Sequence, residues 1–148
     1  MEEYIVKVND DGTIIWFRNH MLHRLDGPAV ERLDGYKVWY REDKLHRADG
    51  PAIERSDGSK FWYRNDKLHR VDGPAIERSN GTKVWYQNDK LHRLDGPAVE
   101  FTNGSKEWYI KGREYSQDEF NKITKTEIKE LTVDEICSLL GYKIKIVG

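Results

Sequence analysis

Four octapeptides recur in this chain at one fixed interval: Leu22-His-Arg-Leu-Asp-Gly-Pro-Ala29, Leu45-His-Arg-Ala-Asp-Gly-Pro-Ala52, Leu68-His-Arg-Val-Asp-Gly-Pro-Ala75 and Leu91-His-Arg-Leu-Asp-Gly-Pro-Ala98. Successive copies begin 23 residues apart, with no gap. Self-similarity at a period this short makes each copy one supersecondary unit that buries its apolar side only against its neighbours. After each block come Val or Ile, a Glu, a glycine (Gly35, Gly58, Gly81, Gly104) and an aromatic pair: Trp39-Tyr40, Trp62-Tyr63, Trp85-Tyr86 and Trp108-Tyr109. Gly12 with Trp16-Phe17 is a fifth copy that lacks the preceding block. The chain therefore reads as five hairpin-like units and four linkers.

Within a unit, Ala52-Ile-Glu-Arg55 and Lys60-Phe-Trp-Tyr-Arg64 flank Ser56-Asp57-Gly58, a turn whose glycine can take the positive φ that other residues resist. A loop of those three residues sets Glu54 opposite Lys60, and likewise Glu31 with Lys37, Glu77 with Lys83 and Glu100 with Lys106. Opposite charges in register favour that alignment. Ala52 then lies beside Trp62 on one face, with Ile53, Phe61 and Tyr63 on the other. In the linker, Asn65-Asp66-Lys67 and Asp72-Gly73-Pro74 read as two turns with a short extended piece between them, because proline cannot donate to a ladder and pushes its predecessor out of the helical region. The period is too short to hold a helix as well as a hairpin. The fold expected is mainly β: a single-layer tandem β-hairpin array, a solenoid or curved sheet, with a small α/β C-terminal cap.

Charged residues make up 34% of the 148 and the hydrophobic set 37%, a supply better suited to a thin elongated body than to a deep spherical core. Five Trp and eight Tyr carry much of it. With 25 basic against 26 acidic residues, the overall balance calls for neither nucleic acid nor an anionic membrane. Cys137 is the single cysteine, so no internal disulfide forms. The opening Met1-Glu-Glu-Tyr-Ile5 lacks the basic and apolar regions of a signal peptide, and no apolar run approaches the roughly 20 residues of a membrane-spanning helix. A soluble, cytoplasmic protein is expected.

The array is expected to span residues 1–112 and the cap 113–148. Ser116-Gln-Asp-Glu119 has the form of a capping box opening a helix through about Ile123, and Thr132-Val-Asp-Glu135 opens a second ending at Gly141. Tyr142 to Val147 alternates like a half-buried strand. At the other end, Tyr4-Ile-Val-Lys-Val8 is expected to pair with Thr13-Ile-Ile-Trp-Phe17. The terminal strands could also pair with a second chain, giving a homo-oligomer, or close their own sheet.

The units resemble the MORN family of β-hairpin repeats, which share the 23-residue period and stretches similar to Asn65-Asp-Lys-Leu-His69 and Asn80-Gly-Thr-Lys83. The likeness covers roughly residues 1–112. It departs where MORN units carry a glycine soon after the position of His69, since this chain has Arg70-Val-Asp-Gly-Pro74. The Leu-His-Arg-x-Asp-Gly-Pro-Ala block looks more like a variant repeat of uncharacterised bacterial and bacteriophage proteins, and Ile136 to Val147 is similar to tails of such proteins. The resemblance implies a curved sheet used to bind proteins or lipid headgroups, with no catalytic residues or cofactor to carry over. On the bacteriophage analogy, inhibition of a host factor is a natural use.

Candidate sites are columns rather than clusters. His23, His46, His69 and His92 lie at equivalent positions, and in a hairpin array such positions are two strands, or about 9 to 10 Å, apart. Zinc ligands each sit about 2 Å from one ion, so the four cannot share a metal. A local pair of each His with Asp26, Asp49, Asp72 or Asp95, such as His69 with Asp72, is the expected structural role. Catalysis needs unlike groups converging at one place, which repeated copies do not supply. The non-repeating residues His20, Met21, Tyr36, Glu107 and Arg113 form no recognisable motif. The Trp column is core if covered; if open, Trp39, Trp62 and Trp85, flanked by Arg41, Arg64 and Lys37, Lys60, Lys83, make a binding groove. Arg24, Arg47, Arg70 and Arg93 form a basic ladder, either a solvated rim or a contact for an acidic partner. The leading expectation is a non-enzymatic scaffold for a protein partner. A sponge for a nucleotide or other small anion, and a phospholipid-associated module, are the alternatives.

Overall fold

A computed structural model describes residues 3–127. They form 18 strands and one helix, Gln117–Glu127, in an open antiparallel array. The second cap helix expected from Thr132, the strand expected over Tyr142 to Val147, and Cys137 lie outside the described residues.

The register follows the charge pattern. Val30–Glu31 pairs with Lys37–Val38, Ile53–Glu54 with Lys60–Phe61, Ile76–Glu77 with Lys83–Val84, and Val99–Glu100 with Lys106–Ile110. Glu54 faces Lys60, as its equivalents do. The same registers recur between units, where Lys37 faces Glu54 and Lys83 faces Glu100. The result is one uninterrupted row from Glu31 to Lys106 in which acid and base alternate from strand to strand. Because neighbouring residues point to opposite faces, the next row is apolar: Val30, Val38, Ile53, Phe61, Ile76, Val84 and Val99.

In the three central units the extended segment is interrupted at its Trp, whereas Ile14–Arg18 and Lys106–Ile110 run through theirs as single strands. Lys60–Phe61 belongs to the main sheet, whereas Tyr63–Arg64 leaves it and pairs with Lys67–Leu68 in a second, two-stranded hairpin. Trp62 makes the junction, donating its N–H to the Ala75 carbonyl and accepting from the His69 N–H. The hairpin turn is Asn65-Asp66, with φ of 48° and 66°, the two-residue geometry with both central residues left-handed that Asn and Asp tolerate best. Asp66 also locks the units together, since its N–H donates to the Leu45 carbonyl and its Oδ1 accepts the Leu45 N–H at 2.8 Å. Asp43 does the same to Leu22, and Asp89 to Leu68. These small hairpins cover the apolar row, where Leu68, Tyr86, Leu91 and Tyr109 pack on the buried Ile76, Val84 and Val99.

Both ends of the array are finished differently from its middle. Tyr4–Val8 pairs with Ile14–Arg18 over five residues, with Tyr4 opposite Arg18 and Val8 opposite Ile14. At the far end, Lys106–Ile110 pairs with Arg113–Tyr115, and the helix follows at once. Ser116 and Glu119 form the capping box: Ser116 donates its N–H and its hydroxyl to Glu119 Oε2, and the Glu119 N–H donates to Ser116 Oγ. The helix runs on to Glu127, past the expected end near Ile123, because no glycine or proline stops it.

Candidate functional site

The conserved spacing within each block builds one clamp per unit around an arginine. The guanidinium carbon of Arg47 lies 4.0 Å from the ring centre of Trp39, that of Arg70 4.1 Å from Trp62, that of Arg93 4.0 Å from Trp85, and that of Arg24 4.3 Å from Trp16. Arg70 Nε donates to Asp72 Oδ1 at 2.9 Å, while its Nη1 donates to the Pro74 carbonyl at 3.2 Å and to Glu77 Oε1 at 3.1 Å. Arg47 and Arg93 repeat the whole set with Asp49, Pro51 and Glu54, and with Asp95, Pro97 and Glu100. Arg24 keeps Asp26 and the Pro28 carbonyl, and Glu31 there meets Lys37 at 3.3 Å.

The glycine of the block is part of the same clamp. A Cβ at Gly50 would sit 2.8 Å from the Arg47 guanidinium carbon, and at Gly73 2.9 Å from that of Arg70. No methyl group fits there while the arginine lies on its indole. A positively charged group over an indole face is worth about 0.5 to 2 kcal/mol, with the larger values where water is excluded. These arginine side chains are only 20% to 23% exposed. The ladder is therefore neither a solvated rim nor an open basic surface: each guanidinium is already held by an indole, a carbonyl and one or two carboxylates.

The histidines also differ from expectation. His69 Nδ1 does not turn to Asp72 but reaches into the following unit, 3.1 Å from Asn88 Oδ1 and accepting the Asn88 N–H at 3.3 Å. His23 accepts the Glu42 N–H, His92 accepts the Lys111 N–H, and His46 Nδ1 lies 2.9 Å from Asn65 Oδ1. The reason is competition: Asp26, Asp49, Asp72 and Asp95 are each bound by the arginine two residues before them, a stronger charge-assisted bond. Each histidine instead braces the left-handed turn of the next small hairpin. Among the described residues, no three His, Cys, Asp or Glu side chains gather to hold a metal ion.

What the array leaves open is the space between successive arginine loops. One cleft of 640 Å³ lies between the loops of Arg24 and Arg47 with Trp39 and Arg41 on its walls, one of 290 Å³ contains Trp62 and Arg64, and one of 550 Å³ contains Trp85 and Gln87. These three indoles are half-buried, neither core nor free. The outer two are half-buried as well, and the one at the helix end lines a further cleft of 490 Å³. Tyr4 meets Trp16 edge-on at 6.3 Å, and Phe120 of the helix, 4% exposed, joins Trp108 in the last cleft. The loop tips Leu25, Ala48, Val71 and Leu94 stand exposed between the open clefts. Beside them Asp26, Asp49, Asp72 and Asp95 are 83% to 85% exposed.

The Trp39, Trp62, Trp85, Arg47, Arg70 and Arg93 side chains thus meet along one face. The loop tips and the exposed cations Arg41 and Arg64 complete it, and the varied residue inside an otherwise constant block was the only sequence sign of the tips. Lys37, Lys60 and Lys83 do not wall these clefts; they sit in the acid–base row of the sheet.

Hydrogen bonds from the arginines hold the four aspartates below their ordinary value of 3.8. The Thr13 and Ser59 N–H groups do the same for Asp11 and Asp57 in the hairpin turns. A carboxylate with a lowered folded value adds stability that is complete above its unfolded value and is lost as pH falls through the folded one. The melting temperature should therefore be level above about pH 4 and fall steadily below it. In Arg47→Met plus Arg70→Met, the acid decline should be shallower, as read by circular dichroism melts at several pH values.

The fold and this face together define an open tandem β-hairpin array with a row of aromatic clefts. No protein-family model matches the chain, and a search of curated proteins returns no match. Among the described residues, no helix is long and apolar enough to cross a membrane.

Proposed function

We propose that this chain is a MORN-like, non-enzymatic scaffold that binds a protein partner along the row of open clefts at Trp39, Trp62 and Trp85. The observation that carries the reading is the pairing of half-buried indoles with exposed apolar tips at a constant interval, since aromatic pockets rimmed by polar groups dominate the energetics of protein interfaces. The resemblance to bacteriophage repeats makes a host protein the natural partner. The arginines are poor probes of this surface because their loss would weaken the fold. The test is capture of a partner by wild type and by Val71→Arg plus Leu94→Arg, both exposed sites. Loss of the partner from a variant with unchanged melting supports the reading, and equal recovery refutes it.

A second reading, a small anionic ligand such as a nucleotide, has one observation in its favour. Arg41 and Arg64 are exposed in adjacent clefts and make no ion pair among the described residues, whereas their counterpart Arg18 reaches Glu42 at 3.2 Å. Against it stands the exposed aspartate row, which repels phosphate, and the same repulsion counts against phospholipid headgroups. Absence of any thermal stabilisation by nucleotides at saturating concentration would dismiss it.

A further inference from the structure

We infer that the cleft row takes a segment in polyproline II conformation that carries an apolar side chain at every third position and basic residues between them. The inference rests on the scaffold reading above and specifies its ligand. The main sheet contributes two strands per unit, so neighbouring clefts are about 9 to 10 Å apart. A polyproline II helix advances about 3.1 Å per residue with three residues per turn, or about 9.3 Å per turn. One turn therefore matches one cleft, and the same edge of the ligand meets Trp39, Trp62 and Trp85 in succession.

Other backbones fit this spacing badly. Three residues of a β-strand span about 10 Å, but alternate residues point to opposite faces, so every third side chain would turn away from the array. An α-helix is about 10 to 12 Å across with its side chains, as wide as a whole repeat, and would ride on the loop tips without entering the clefts. Preformed polyproline II segments also lose little entropy on docking, and aromatic grooves are their usual receptors.

The chemistry of the walls selects the side chains. Ala48 and Val71 offer apolar contact beside Trp62, as Pro28 does beside Trp39 and Pro74 beside Trp85, while Asp26, Asp49, Asp72 and Asp95 stand exposed and ionised at the same interval. Each aspartate side chain stays more than four-fifths exposed while it holds its arginine. Lysine or arginine on the ligand complements that row, most fully at the Trp85 cleft, where Gln87 takes the place that Arg41 and Arg64 hold in the other two.

The test is fluorescence anisotropy of a labelled peptide of about 12 residues, four turns of repeated proline-leucine-arginine, titrated with the full chain. The comparison peptide has the same composition with the leucines at every second position. The three-residue repeat should bind at least about tenfold tighter, a difference of about 1.4 kcal/mol, and that preference should be lost in Ala48→Lys plus Val71→Lys, with melting unchanged. Equal binding of the two peptides overturns the period match and leaves charge alone as the cause. An unaltered preference in the variant overturns the assignment to these clefts. If neither peptide binds while the partner capture above succeeds, this inference falls and the scaffold reading stands.

Discussion

Trp62→Ala should lower the stability of the protein by about 3 kcal/mol, near the lower end for removal of a buried Trp because the ring is half-exposed. For a chain of this size that corresponds to a fall in melting temperature of roughly 10 °C. Two losses combine. The indole no longer supports Arg70, and the guanidinium, still bound to Asp72 and Glu77, has a void on one side. Because Trp62 lies in a central unit whose backbone bonds reach Ala75 and His69, the defect falls on a junction that neighbouring units share. Repeat arrays couple mainly through nearest neighbours, so the transition should broaden as the two halves begin to unfold separately. A thermal scan followed by far-ultraviolet circular dichroism reads both effects.

The second large effect is expected where the side chain is smallest. Ala29, Ala52, Ala75 and Ala98 are 0% exposed, and each lies between the proline and the first strand of its unit. Ala75→Leu adds three carbon atoms where there is no solvent-facing space, at a cost of about 3 kcal/mol, the upper part of the range for overpacking. Four residues earlier, Val71 is 73% exposed, and Val71→Leu should change stability by no more than about 0.5 kcal/mol. Comparing the two urea midpoints checks the pair. Similar values would show that the alanine column is not packed as described.

The contrast between those positions shows which parts of the molecule were legible beforehand. Strand register was legible because Glu54 and Lys60 carry opposite charges at a spacing that only a three-residue turn satisfies, and Gly58, with φ of 86°, closes that turn. The bend at Trp62 was not, since an unbroken run of strand-forming residues gives no sign that its two halves join different hairpins. The partner of His69 was equally hidden. Asp72 and Asn88 are both suitable acceptors, and the period fixes distance along the chain without saying which unit a ring turns toward. Arg70 looked exposed for a related reason: its hold on Trp62 depends on Gly73, read from sequence as a turn residue although its missing side chain is what admits the guanidinium. Five residue types at fixed offsets, Arg, Asp, Gly, Pro and Glu, describe one clamp, and only their arrangement in space shows it.

That clamp neutralises each loop arginine and keeps the indoles presented, so the whole site depends on the coupling between arginine and indole. A double-mutant cycle tests it directly, with chemical unfolding of wild type, Arg70→Ala, Trp62→Ala and the double variant. A coupling of about 1 to 2 kcal/mol is expected, the two substitutions together costing less than their sum. Strict additivity would contradict it.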